Sequence, residues 1–247
     1  MKKKMLSMFA VAMAFLGLAM QSCSDNDDEV AYMPSALPNA IVTVKPVENK
    51  DSFYMQLDDS TILKPVNMGR SPYADKEVRA FVNYDIVGQQ HSKGQALVTV
   101  NWIDSILTKS TSPDLGSENT VEYGQDPVEI MRDWTVSEDG YLTIHFQTWW
   151  GGSQPHAVRL VATSGSNPYE LTFFHDANGD QKSYVASGIV AFRLDSLPDT
   201  GGKTVDLTLK WKSFSGDKSV SFKYRTRQHS SQSAKGMPFV KYENSLQ

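Results

Sequence analysis

The chain has 247 residues, 40% hydrophobic and 21% charged, which supplies enough apolar side chain for a buried core and excludes general disorder. A formal net charge of -4 excludes the basic excess with which nucleic-acid-binding proteins meet phosphate. The single cysteine excludes a disulfide framework and any multi-cysteine zinc site.

Lys2, Lys3 and Lys4 open the chain, and residues 5–20 form an uncharged apolar run. Residues 1–22 therefore read as a secretory signal, too short and wrongly flanked for a membrane-spanning helix. The only cysteine, Cys23, stands where cleavage is expected, the arrangement of a lipoprotein signal in which the thiol accepts the lipid. Gln21 departs from the small residue usual at that place, whereas Ser22 suits the position before the cysteine. Ser24, Asp25, Asn26, Asp27, Asp28 and Glu29 follow. This acidic run suits a solvated tether and resembles the export signal of surface lipoproteins of Bacteroidota. Proline-spaced residues continue the tether, which spans 23–38. The expected address is the outer membrane, with the protein lipid-anchored and exposed at the cell surface.

Folded structure is expected from Asn39. Ala40, Val42 and Val44 alternate with Ile41, Thr43 and Lys45 until Pro46, and Phe53, Met55 and Leu57 alternate before an Asp58-Asp59-Ser60 turn. A return strand runs to Lys64. Val78, Ala80, Val82, Tyr84 and Ile86 share one face of the next strand, and Ala96, Val98, Val100 and Trp102 one face of its partner. Five short strands over 39–109 predict an OB-like five-stranded β-barrel.

Residues 110–125 are polar and bear proline, which predicts a linker. Asp126 as N-cap and Pro127 at the first helical position predict a short helix over 128–133. Alternation resumes with Leu142, Ile144 and Phe146, then Val158, Leu160 and Ala162, then Leu171 and Phe173, with Asn178-Gly179 expected as a hairpin turn. Val205, Leu207, Leu209 and Trp211 precede Val220, Phe222 and Tyr224. Regular short strands predict a β-sandwich over 126–227 and a polar tail over 228–247. The class is all-β, with an N-terminal barrel followed by a C-terminal sandwich.

Several stretches resemble the NigD-like family of lipoproteins, in which an OB domain precedes a β-sandwich. They are residues 40–46 (AIVTVKP), 53–61 (FYMQLDDST), 82–84 (VNY), 106–109 (ILTK), 126–128 (DPV) and 174–180 (FHDANGD). Ser60 stands where the family usually has glycine. The resemblance implies this fold pair and a surface address. The family's name comes from a bacteriocin operon, which implies a bacteriocin-related or immunity-type role.

The five histidines, His91, His145, His156, His175 and His229, show no H-x-x-x-H pairing, and no P-loop, Rossmann fingerprint or G-x-S-x-G elbow occurs. No catalytic residue, metal or cofactor is therefore expected. Asp176, Asn178 and Asp180 have the alternate spacing of a calcium loop but lack its later glycine and glutamate, so the Asn-Gly turn explains them better. Trp149 and Trp150 put one indole on each face of a strand end, a candidate stacking platform for a ligand. The first functional reading is a non-catalytic surface protein-interaction module. The second is a glycan-binding lipoprotein, and the third a hydrolase, which needs a cleft where two acids, or an acid and a histidine, converge. The expected partners are the membrane, through the lipid anchor, and a protein or glycan, with no nucleic acid.

Overall fold

Alternation makes a strand where one face is buried, and the first strand shows it. In the computed structural model, which describes residues 37–47, 51–88, 94–163 and 165–227, β1 (Ala40–Pro46) turns Ala40, Val42 and Val44 inward. It pairs with β2 (Phe53–Gln56) on one side and β4 (Val78–Ile86) on the other. β3 (Ile62–Pro65) runs antiparallel to β2 and parallel to β5 (Gln95–Ser105), and β5 pairs with β4. The ring closes in the order β1-β2-β3-β5-β4, the expected five-stranded barrel, filled by Met55, Leu63, Ala80, Val82 and Val98. Signal residues 1–22, Cys23, the export run 24–29 and the tail 228–247 lie outside the described residues. Among the described residues no helix is long and apolar enough to cross a membrane.

Ser60 needs no glycine because its turn is closed by a side chain: Asp58 Oδ1 accepts the Ser60 and Thr61 amides at 2.7 and 2.8 Å. The expected face of β5 is corrected at its end. Asn83 pairs with Trp102 but Tyr84 with Val100, a bulge that leaves Asn101 as the extra residue. Beyond it Ile103 packs on the barrel core in the place expected of Trp102.

β6 (Thr108–Ser110) already belongs to the second domain, pairing in parallel with β11 (Tyr184–Arg193). Residues 110–125, expected as a linker, carry a 3-10 turn (Gly116–Glu118) and a short helix α1 (Asn119–Tyr123), with Asn119 buried. The helix expected over 128–133 is instead part of a strand, β7 (Glu129–Glu138), hydrogen-bonded to β8 (Tyr141–Trp150). Val128 N donates to Lys212 O at 2.9 Å, so Asp126-Pro127 enters a sheet and caps no helix. The sandwich pairs a β6-β11-β8-β7 sheet with a second sheet ordered β13-β12-β10-β9, comprising β9 (Ala157–Ala162), β10 (Glu170–Asp176), β12 (Val205–Ser213) and β13 (Gly216–Tyr224). Its core includes Leu142, Ile144, Leu160, Leu171, Phe192 and Leu207. Asn178 (φ 50°) and Gly179 (φ 72°) form the tight turn their sequence favours, but it is not a hairpin. β10 and β11, which it connects, lie in different sheets.

Barrel and sandwich fall in one compact unit. Asp139 (φ 50°) and Gly140 (φ 75°) turn β7 into β8, and this hairpin tip docks on the barrel. Its backbone Asp139 N donates to Asp59 Oδ1 at 3.2 Å, and its carboxylate meets Lys45 Nζ at 2.7 Å. Beside it Arg79 of β4 is fully buried, donating to Thr43 Oγ1 (3.1 Å), Thr143 Oγ1 (3.3 Å) and Glu138 Oε2 (3.2 Å). Tyr141 OH and Arg227 both donate to Glu77 Oε1, at 2.6 and 2.7 Å. Ile41, Ile106, Tyr141 and Ala191 form an apolar cluster across the junction, and Trp134 (φ 66°) packs edge-on against Phe81 at 5.5 Å. The junction is thus cored as well as bonded.

Candidate functional site

A concavity of ≈ 540 Å³ lies on the sheet that carries β10, β12 and β13. Leu209 and Trp211 point into the sandwich, so Lys210 and Lys212 point out, and by the same alternation Thr172 and Phe174 do too. α1 forms one wall, held by Tyr123 against Phe174 (5.9 Å) and by Tyr123 OH donating to Pro113 O at 3.0 Å. β13, the edge strand of its sheet, supplies Asp217, Lys218 and Ser219 on the other side. Lysine charges here are balanced by acids: Lys210 by Glu170 (2.6 Å), Lys212 by Asp217 (3.6 Å) and Lys218 by Glu129 (2.9 Å). All three pairs are part-exposed, so they hold little energy and can exchange partners. Trp211, which also lines the groove, has a buried indole N–H without an acceptor. A buried donor left unpaired costs about 1–3 kcal/mol.

At one end of the groove lie His175 and Asp126, an acid and a histidine together. They do not make a catalytic dyad. His175 is 2% exposed, and its Nδ1 donates to the Asp126 backbone carbonyl at 3.2 Å, while the Asp126 carboxylate accepts the Ala177 amide at 2.8 Å. Burial holds the His175 imidazole below the usual histidine range. Its Nε2 meets His156 Nδ1 at 2.9 Å, and His156 Nε2 meets Asp180 Oδ2 at 3.2 Å. Asp180 also accepts the Gly151, Gly152, Ser153 and Gln181 amides and the Ser153 hydroxyl. Hydrogen bonds from Ser153 and from the Gly151 amide hold its carboxyl well below the usual carboxylate range.

Asp176, Asn178 and Asp180, which have the alternate spacing of a calcium loop, are divided between tasks. Asp176 closes the turn by accepting the Asn178 amide at 2.7 Å, Asn178 donates to Pro155 O, and Asp180 gathers the amides of another loop. Among the described residues no group of three His, Cys, Asp or Glu side chains is placed to hold a metal. The tryptophan pair is divided as well. Trp149 is 39% exposed beside exposed Val185 on the outer face, whereas Trp150 stacks on His156 (3.8 Å, 10°) and donates to Ala186 O at 3.2 Å. Cys23 and residues 24–29 lie outside the described residues. The histidine pair was missed by sequence reasoning because its members stand 19 positions apart, with strand β9 between them.

Two family models match in tandem, the NigD-like N-terminal OB domain over residues 41–106 and the NigD-like C-terminal beta sandwich domain over residues 110–224. Among solved structures, a protein described as toxin-related from Parabacteroides distasonis is similar at 38% identity and TM-score 0.64, over 76% of this chain and 92% of that one. A protein of unknown function from Bacteroides vulgatus (20% identity, TM-score 0.62, 76% and 91% covered) shares the fold. So does a NigD-like immunity protein from Bacteroides caccae (20% identity, TM-score 0.57, 78% and 99% covered). No curated protein matches the chain.

Proposed function

The chain belongs to the NigD-like family, and on that premise we propose that it is a non-catalytic, lipid-anchored surface protein that binds another protein in an immunity-type role. The groove between α1 and β13 carries this reading. It offers an extended segment a half-apolar floor at Phe174 and exchangeable lysine–carboxylate pairs along its sides. An edge strand on one wall is the ordinary place for such a segment to add backbone hydrogen bonds. Names given to two similar structures, toxin-related and immunity protein, point to the same kind of partner.

Deleting the gene should make a strain sensitive to a secreted antibacterial protein of its own or a neighbouring strain, scored as killing in co-culture. A gene encoding Lys212→Glu with Lys218→Glu should fail to restore resistance while giving the normal amount of folded protein, because reversed charges at a docking face repel the partner. A deletion strain as resistant as its parent rejects the immunity role. Full rescue by the double variant moves the partner off this groove.

The exposed Trp149 supports a second reading, a glycan-binding face with Gln147 and Ser187 on the neighbouring rung. On the rung beyond, Trp150 is stacked on His156, while its partner Tyr184 is exposed. Trp149→Ala separates the readings: it should abolish retention on polysaccharide if the glycan reading holds and leave resistance unchanged if the protein reading does.

Anchoring has its own test. Cys23→Ser should abolish incorporation of labelled fatty acid and move the protein from the membrane fraction to the soluble one. Each acyl chain holds by about 0.8 kcal/mol per buried CH₂, and no helix among the described residues is long and apolar enough to cross a membrane. Retention of the variant in washed membranes would show another means of attachment.

A further inference from the structure

His156 and His175 lie ring to ring in the sandwich, with Asp180 at one end of the pair and the Asp126 carbonyl at the other. The side chains of His156 and Asp180 are 1% and 0% exposed, and His175 is 2% exposed, so water does not complete their hydrogen bonds. Asp180 already receives four backbone amides and a hydroxyl. It is an anion and has no proton to give, so His156 Nε2 must donate to it. At the other end a carbonyl, Asp126 O, can only accept, so His175 Nδ1 must donate as well. One further proton has to lie between His156 Nδ1 and His175 Nε2, which are 2.9 Å apart. Three protons on four ring nitrogens make one imidazolium and one neutral imidazole.

We propose that His156 and His175 together bind a single proton, and that this buried shared charge latches three segments of the sandwich, the loop after β8, the turn after β10 and the groove wall at Asp126. Trp150 covers the cation with its ring face, 3.8 Å from the His156 ring and nearly parallel to it. The other titratable groups set against the pair are Asp126, at the groove wall, and Asp176, at the end of β10, both acids that favour the bound proton. Ser153 and the loop amides face Asp180, and from β8 Phe146 packs on His175 at 6.0 Å. Gly151 belongs to the same assembly. A Cβ there would lie 2.4 Å from Gln181 O and 2.8 Å from Asp180 Oδ1, so the loop can approach the carboxylate only with glycine.

A second proton opens the latch, because both nitrogens across the 2.9 Å contact then carry hydrogen. The sign follows from burial, which holds His175 below the ordinary histidine range. A ring kept neutral in the fold contributes stability above about pH 6.5, and that contribution is lost as pH falls and the unfolded chain takes up the extra proton. Acidification should therefore free the loop over 151–156 together with the groove wall.

The test is ¹⁵N NMR of the protein labelled at the histidine ring nitrogens, followed from pH 8 to pH 4.5. At pH 7 the pair should show three ring N–H protons, two on one ring and one on the other. A pair that is wholly neutral or doubly cationic at pH 7 overturns the proposal. On acidification the Gly151 and Gly152 amides should shift with the same midpoint as the second protonation, and amide shifts that ignore it overturn the latch. In Asp180→Asn the proton count should fall to two and exchange of the Gly152 amide should speed up about tenfold. Three protons retained in that variant would show that Asp180 does not hold the charge. Should Asp180→Asn not fold, the wild-type titration decides alone.

Discussion

Replacing Arg79 with alanine should destabilise the protein by about 3–5 kcal/mol, the range for removing one member of a buried, hydrogen-bonded ion pair. At roughly 2–4 °C per kcal/mol for a fold of this size, the melting temperature should fall by about 10 °C. Alanine leaves Thr43 Oγ1 and Thr143 Oγ1 facing a cavity where a guanidinium had satisfied both, and it takes the cation from over the Tyr141 ring, 5.9 Å from its centroid. Arg79→Met should cost less, because it fills the space, although it too leaves Glu138 without its partner. Burial moves the Arg79 guanidinium down from its ordinary value and the Glu138 carboxyl up, the signature of a pair whose desolvation outweighs its attraction. The ion pair therefore fixes how the hairpin tip meets the barrel more than it stabilises the fold. Calorimetry of both variants checks this, and equal losses for alanine and methionine would show that the charge dominates after all.

Arg79 also shows where reading the sequence stops. Its neighbours Val78, Ala80 and Val82 announce a strand with one buried face, and that much was legible because the barrel buries only the inward side of β4. The opposite face of the same strand carries a residue type almost always exposed, and it is buried by a second domain that local periodicity cannot see. Strand β11 failed to register for the same reason. Its run Ile189, Val190, Ala191, Phe192 is apolar on both faces because one packs in the sandwich and the other against the barrel, so no alternation remains. β7 was mistaken for a helix start because it breaks step. Met131 pairs with His145 and Val136 with Thr143, five residues on one strand against two on the other. The extra residues throw Trp134 onto Phe81 and let Thr135 Oγ1 accept the His145 amide at 3.0 Å. That irregularity serves the junction and leaves no periodic trace.

The candidate site was legible only as fragments. Trp-Trp-Gly-Gly, Asn-Gly-Asp and two scattered histidines each had a local explanation as a platform, a turn or unremarkable polar residues. Folding joins them, since β8 and β9 belong to different sheets and so do β10 and β11, which brings the two connecting loops together at one end of the sandwich. A paired glycine read as a backbone anion nest, with an unassigned aspartate as its anion, is the signal that could have found the contact.

Gly124→Ala should have the second large effect, about 2–4 kcal/mol, and it tests whether the groove wall is built by close approach. Gly124 has φ +81° with ψ 168°, an essentially glycine-only conformation in which a side chain costs about 1–3 kcal/mol. Its added Cβ would also sit 2.6 Å from Asp176 Cβ and 2.8 Å from both Asp176 Cα and His175 O. Neither contact can be relieved by rotating a side chain, so the chain must move away from β10, at an overpacking cost of about 1–3 kcal/mol. That movement pulls on the Asp126 N to His175 O bond (2.9 Å) and on the Asp126 carboxylate's hold on the Ala177 amide (2.8 Å). Gly179→Ala is the comparison at an open site, because Gly179 also has a positive φ, +72°, with nothing within 4 Å of the added Cβ. Backbone strain alone should then cost Gly179→Ala about 1–2 kcal/mol. Urea denaturation of both variants measures the difference, to which the approach of residue 124 to β10 contributes. Equal losses would mean that the wall at Gly124 is not tightly seated, and the groove would then lack the rigid side that its proposed use as a docking surface requires.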